Sequence, residues 1–303
     1  NNHIGVPLTL LSFNSETEIG IVEMGANHKK EIAFLCELAK PDYGYITNFG
    51  KAHLEGFGGI QGVIEGKSEL YQYLSINNKL AFINLEDSIQ VQKAADLKFF
   101  SFGIKKENAD VNIIDVKANP FVEINFSNLI IKSHLIGLYN ANNINAALTI
   151  GKYFGVDDIA IKEGLESYIP ENNRSQLLSK GTNQIILDAY NANPSSMKVA
   201  IENFLQLDNP NKIMILGDMF ELGDASTQEH LEVLKLLLDK NEIQCFFIGS
   251  AFYANKTVTT HFHFYETFDS FSEYLKEIKI VNSVVLIKGS RGMALERTLQ
   301  FFS

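Results

Sequence analysis

Short apolar runs recur along this chain, and each one ends in a polar loop. Ile185-Ile-Leu187 leads into Asp188-Ala-Tyr-Asn-Ala-Asn-Pro-Ser-Ser-Met197, and Ile19-Gly-Ile-Val22 into Glu23-Met-Gly-Ala-Asn-His28. In the same way Tyr45-Ile-Thr47 leads into Asn48-Phe-Gly-Lys-Ala-His53, Ile213-Met-Ile-Leu216 into Gly217-Asp-Met-Phe-Glu-Leu-Gly223, and Val284-Val-Leu-Ile287 into Lys288-Gly-Ser-Arg291. Such runs read as buried strands, and the loops that follow strand ends are where an open α/β sheet binds its ligands. In the first of these loops Asn193 stands as a helix N-cap and Pro194 at the first helical position. An ordinary capped loop would carry the same Asn-Pro start, so it is the repetition of the arrangement that points to a site.

Helical spacing fills the intervals. Residues 30–40, ended by Pro41, and 60–74 alternate with the strand-like Leu80-Ala-Phe-Ile83 and Phe99-Phe-Ser-Phe102, which predicts parallel βαβ units over 19–103. Residues 110–132 change character. Their short alternating runs around Asn119-Pro120 and Asn125 to Asn128 predict antiparallel strands, and helical periodicity returns over 140–153 and 157–168. The polar stretch Pro170-Glu-Asn-Asn173 is the best linker, because a new strand–helix alternation starts after it. The expected class is α/β with two domains, 1–172 and 173–303, each with its own core and moving about residues 170–174.

Composition narrows the function. At 303 residues and 46% hydrophobic content the chain can build two sizeable cores. Its 26 basic against 36 acidic residues give a net charge of −10, which does not support a nucleic-acid surface. Cys36 and Cys245 lie far apart without metal-ligand spacing, which fits a reducing compartment, so a cytoplasmic location is expected. No apolar run approaches the roughly 18 residues of a membrane span, and no signal peptide is visible.

Gly62-Val-Ile-Glu-Gly66-Lys67-Ser68 resembles a phosphate-cradling loop but is one residue short, and Ile60, Val63, Ile64, Tyr71 and Leu74 carry a helical stripe through it. Lys67 lies on that stripe, where burial disfavours its ammonium form; a snorkelling lysine is the plainer alternative. Glu23 and His53 each follow a strand-like run and could converge on one hard cation, although either could equally serve as a cap. Asp188 can accept from two hydroxyls at once. His261 and His263 share a face of a strand-like run, but no third ligand stands nearby, so they read as ordinary packing.

Taken together and in order, these strings resemble the Mur ligase family of ATP-dependent amide ligases. The branch most similar is the one that adds D-alanyl-D-alanine to UDP-N-acetylmuramoyl-tripeptide. The likeness runs from Asn1-Asn-His-Ile-Gly-Val-Pro7 to Lys288-Gly-Ser-Arg-Gly-Met-Ala-Leu-Glu296, with Asp188-Ala-Tyr-Asn-Ala-Asn-Pro194 and Gly217-Asp-Met-Phe-Glu-Leu-Gly223 as its most specific parts. It implies a central ATPase-type domain, mostly parallel with a small antiparallel portion, and a C-terminal Rossmann-like domain. It further implies ATP and Mg²⁺ as cofactors, with Lys67 carbamylated and holding Mg²⁺ together with Glu23 and His53 as the catalytic set.

By the same resemblance Asn143 contacts the adenine, Arg174 the nucleotide and Asp188 the ribose. Tyr190, Asn191, Asn193, Lys288 and Arg291 are then assigned to the incoming dipeptide and the transferred phosphoryl group. Gly137-Leu-Tyr-Asn140-Ala-Asn-Asn143 departs from the family pattern at Tyr139, where a histidine is usual. The family's phosphate loop and UDP-binding domain would precede Asn1, so these 303 residues alone are expected to be inactive. A monomer is expected. A non-catalytic nucleotide-binding relative, or another ATP-dependent amide ligase such as a folylpolyglutamate type, is the alternative. A Gly-rich loop ending in Gly-Lys-Thr upstream would support the ligase and its absence the binder, and an amide ligase of another branch is expected to lack the 188–194 string. A dehydrogenase is disfavoured, because no G-x-G-x-x-G opens any βα unit.

Overall fold

The computed structural model describes residues 1–171 and 173–302. The boundary expected at Asn172 falls on a residue outside those described. The chain divides into two compact units, one comprising Asn1–Val116, Ile124–Ile131 and Ala141–Leu165, the other Lys117–Glu123, Lys132–Asn140 and the residues from Glu166 onward.

The first sheet has six strands in sequence order, β1 (Tyr43–Tyr45), β2 (Leu80–Asn84), β3 (Lys98–Ile104), β4 (Val111–Ala118), β5 (Phe121–Phe126) and β6 (Leu129–Ile136). β1 through β4 run parallel. The two-residue links Asn119-Pro120 and Ser127-Asn128 make hairpins of β4–β5 and β5–β6. Helices α1 (Gly5–Leu11), α2 (Glu31–Ala39), α3 (Leu54–Phe57), α4 (Ile60–Ile76), α5 (Ser88–Lys93), α6 (Ala141–Tyr153) and α7 (Asp158–Ser167) accompany these strands. The α4 stripe packs Tyr71 and Leu74 against Ile46, Ala81 and Ile83. Its glycines are explained by contact. A Cβ at Gly62 would lie 1.8 Å from the Phe57 carbonyl oxygen, and one at Gly66 would lie 2.5 Å from the Phe57 ring. Gly62 and Gly66 therefore admit α3 against α4, and the segment resembling a phosphate loop is helix throughout.

One expected strand does not form. Residues 19–22 lie outside any strand, with Ile19 57% and Ile21 86% exposed. An apolar run becomes a strand only where a neighbour completes the hydrogen-bond ladder, and among the described residues no strand pairs with this one. The second run is shifted rather than lost, since pairing ends at Tyr45 and leaves Ile46 buried beyond it.

The second sheet is built from β7 (Gln176–Lys180), β8 (Asn183–Asp188), β9 (Lys212–Gly217), β10 (Gln244–Ile248), β11 (Phe262–Tyr265) and β12 (Val284–Lys288), in the order β11-β10-β9-β12-β8-β7. β8 to β12 are parallel and β7 is antiparallel to β8. The connecting helices are α8 (Pro194–Leu205), α9 (Ser226–Leu237), α10 (Ser250–Ala254) and α11 (Phe268–Glu277). From β8 the chain moves outward through β9, β10 and β11, and β12 then returns between β9 and β8. That return brings the loops after β8, β12 and β9 side by side at the carboxyl ends of the strands, the usual position of a ligand crevice.

Asn145 is 0% exposed on α6, and neither of its amide atoms has a hydrogen-bond partner. An unsatisfied buried polar group costs about 1–3 kcal/mol. The near-isosteric Asn145→Leu is therefore expected to stabilise the protein by about 1–2 kcal/mol in denaturant melts. A fall in stability would mean that an ordered water satisfies the amide.

Candidate functional site

Asp188 and Lys288 end two adjacent parallel strands and are register partners, Lys288 opposite Asp188. All five residues of β12 are buried, so the terminal lysine is only 1% exposed. A buried ammonium requires a partner. Lys288 Nζ donates to Asp188 Oδ2 at 2.6 Å and to the Asn191 carbonyl at 3.3 Å, which ties the carboxylate and the loop behind it to β12. The other oxygen, Asp188 Oδ1, accepts from the backbone N–H of Ser175 at 3.0 Å.

The loop then turns into α8 as the sequence predicts. Asn193 Oδ1 accepts from Ser196 N at 2.9 Å, and Ser196 Oγ accepts from Asn193 N at 3.1 Å, a reciprocal capping box with Pro194 as the first helical residue. Asn191 Oδ1 accepts from the Ala192 N–H at 2.9 Å. Tyr190 is 41% exposed and carries the Arg174 guanidinium 3.9 Å from its ring centre, with that of Arg291 at 6.0 Å. Two exposed cations thus meet one exposed aromatic ring beside Asp188. Arg291 also lies 3.7 Å from Glu296.

Ser290, 3% exposed, ties three loops together. Its N–H donates to the Asp218 carbonyl at 3.1 Å, and its hydroxyl accepts from Phe220 N at 2.8 Å and donates to the Ala192 carbonyl at 3.3 Å. Asp218 is itself structural. It accepts from Ala251 N and Phe252 N at 2.9 and 3.0 Å, and a Cβ at Gly249 would lie 2.2 Å from its carboxyl carbon. His230 Nε2 accepts from Met219 N at 3.1 Å and so buttresses the same loop. Ser175 and Ser290 had no signal in the sequence: one acts through its backbone and the other through loops nearly a hundred residues apart.

In the first unit, Lys67 points from α4 to the loop after β1 and donates to the Asn48 carbonyl at 2.7 Å. Burial lowers its pKa from the ordinary lysine range, and the charge of Asp87 opposes that shift only in part. His53, on the same loop, has φ 52° and precedes α3. Glu23 is exposed and accepts from Asn1 Nδ2 at 3.0 Å. Asn143 is exposed in the first turn of α6. Among the described residues no three His, Cys, Asp or Glu side chains cluster as a metal cage. His261 and His263 bond separately, to the Leu237 carbonyl and to Gln244 Oε1. Burial raises the pKa of both cysteine thiols to about 12, which disfavours their thiolate forms. No helix among the described residues is long and apolar enough to cross a membrane.

A doubly wound sheet with a polar cluster at its strand ends, preceded by a mostly parallel sheet ending in hairpins, matches two family models. Residues 1–151 fit the Mur ligase middle domain and residues 173–291 the Mur ligase glutamate ligase domain. The chain belongs to the Mur ligase family. It is 32% identical to the UDP-N-acetylmuramoyl-tripeptide--D-alanyl-D-alanine ligase of Bacillus subtilis (strain 168), over 99% of this chain and 67% of that protein. It superposes on MurF from Acinetobacter baumannii with TM-score 0.83 and 28% identity, over 99% of this chain and 68% of the other. MurF ligase from Thermotoga maritima, solved in complex with ADP, gives TM-score 0.83 at 27% identity, over 100% of this chain and 71% of the other.

Removing one member of a buried pair leaves the other charge uncompensated, at a cost of about 3–5 kcal/mol. Lys288→Met is expected to destabilise the protein by that amount in denaturant melts. Adding Asp188→Asn to it should recover most of the loss. A single variant as stable as wild type would show that the pair is solvated.

Proposed function

We propose that this chain forms the middle and C-terminal domains of an ATP-dependent amide ligase that joins D-alanyl-D-alanine to UDP-N-acetylmuramoyl-tripeptide in the cytoplasm. The observation that carries the reading is the cluster at the ends of β8 and β12, where Asp188 is held by Lys288 and Ser175 beside the Arg174–Tyr190–Arg291 group. The name of the Bacillus relative supports the substrates, and the ADP in the Thermotoga structure supports the nucleotide. The domains are 1–172 and 173–303, and the enzyme is a monomer.

In this reading the tripeptide carboxylate attacks the terminal phosphorus of ATP, giving an acyl phosphate and ADP. The D-alanyl-D-alanine amine then adds to the acyl carbon, and the tetrahedral species expels phosphate to leave the new amide. Such chemistry depends on positioning and charge neutralisation. Each Asp188 oxygen accepts from one donor and keeps a second lone pair, so the carboxylate retains acceptor capacity for the ribose hydroxyls. Asn143 meets the base and Arg174 the phosphates. Arg291 suits the dipeptide carboxylate, with Tyr190, Asn191 and Asn193 lining its approach. Lys288 contributes by fixing the direction of Asp188 and the Asn191 carbonyl.

Glu23, His53 and Lys67 fit a hard cation in one respect and need modification in another. Glu23 offers exposed carboxylate oxygens, whereas Lys67 as an ammonium would repel Mg²⁺. Its lowered pKa makes the neutral amine accessible, and the amine reacts with carbon dioxide to give an anionic carbamate. Mg²⁺, when bound, would neutralise charge on the phosphate oxygens.

In the intact enzyme, Asp188→Asn is expected to raise the KM for ATP by about tenfold to a hundredfold, the range for a hydrogen bond to a charged group. Unchanged ATP kinetics would remove Asp188 from the site. Lys67→Ala should be nearly inactive and regain activity with added short carboxylic acids. With ¹³C-labelled bicarbonate, wild type and not the variant should show a carbamate carbon resonance. Near-normal turnover of Lys67→Ala without carbon dioxide would return Lys67 to a packing role.

A further inference from the structure

Tyr139, the departure from the family pattern, reaches Asp188 through one intermediary. Its hydroxyl is hydrogen-bonded to Ser175 Oγ. Ser175 is buried with φ 48°, in the left-handed region that residues other than glycine seldom enter. Such a conformation persists only where surrounding contacts hold it. Burial, with the nearby charge of Asp188, pushes the Tyr139 phenol far above the ordinary tyrosine range, so it keeps its proton, and either hydroxyl can donate in the bond to Ser175. The N–H of the same serine is the donor to Asp188 Oδ1 at 3.0 Å. Just before it, the Asn173 carbonyl accepts from Tyr190 N at 3.1 Å, and Arg174 stacks on the Tyr190 ring.

We propose that Tyr139 is a positioning residue for nucleotide recognition: it holds Ser175 in its left-handed turn, aims that N–H at Asp188, and so sets the carboxylate's orientation toward the ribose. The inference rests on the ribose role proposed above for Asp188. Lys288 grips one oxygen only, and a carboxylate held at one oxygen can turn about its Cβ–Cγ bond. The Ser175 N–H is the second anchor that prevents the turn, and Tyr139 is what keeps that anchor in place.

The test compares binding of ATP and 2′,3′-dideoxy-ATP to the intact protein by calorimetry, in wild type, Tyr139→Phe and Ser175→Ala. Wild type should prefer ATP by roughly tenfold or more, as expected for hydrogen bonds to a carboxylate. In Tyr139→Phe that preference should shrink by roughly threefold or more while dideoxy-ATP binds as before, since only interactions routed through Asp188 are loosened. Ser175→Ala removes the same hydrogen bond from the other side, and it should behave alike; it decides the matter alone if Tyr139→Phe does not fold. A preference unchanged from wild type overturns the role of Tyr139 and leaves the ribose reading standing. A wild type that binds both nucleotides equally overturns the two together.

Discussion

The second sheet's candidate site depends on one buried ion pair. Lys288 closes a strand buried along its whole length, and that burial obliges its ammonium to find a carboxylate; register supplies Asp188. A pair like this differs in kind from the surface pairs elsewhere in the chain, such as Lys276–Glu273, which contribute about 0–1 kcal/mol. Desolvating two charges offsets most of the Coulomb gain. What the pair supplies is an anchor: a carboxylate at the end of β8 held through one oxygen, and an Asn191 carbonyl pulled to the same nitrogen. Ser290 knits the neighbouring loops to that point, so three strand ends act as one surface.

Much of the fold was legible because fully buried parallel strands leave an unmixed apolar signature. β8, β9 and β12 lie where their isoleucine, leucine and valine runs put them, and the hairpins of β4–β6 follow from alternation with turn residues between. The failure at 19–22 follows from the same physics. Composition gives a segment the capacity to be a strand, but pairing is a property of its neighbours, and Ile21 is left 86% exposed. Glycine spacing was rightly outweighed by the helical stripe through residues 60–74. Gly62 and Gly66 imitate a phosphate loop, yet they serve the close packing of Phe57 on α4, a contact that no local pattern announces.

The site was legible only as residue types at strand ends. Asp188, Tyr190, Arg174 and Arg291 do come together, and the Asn193–Pro194 cap forms as its local sequence dictates. Local rules suffice for a cap because donor and acceptor lie three residues apart. The partnership of Lys288 with Asp188 spans a hundred residues and depends on β12 returning between β8 and β9, which is a matter of topology. Ser175 acts through its N–H, and a backbone group carries no mark in the sequence.

Lys67 and Lys288 show how the same side chain is set to different tasks by what it meets. Lys288 is buried and Lys67 half-buried. Lys288 meets a carboxylate at 2.6 Å, which fixes it as a structural cation. Lys67 meets the Asn48 carbonyl at 2.7 Å, a neutral acceptor, with the charge of Asp87 too weak an influence to cancel its desolvation. A carbonyl stabilises an ammonium less than a carboxylate does, because it supplies a dipole and not a charge. The proton on Lys67 is therefore held less tightly than that of an exposed lysine. Of the two, Lys67 is the one without a carboxylate partner, and from α4 it bonds to the loop that carries His53.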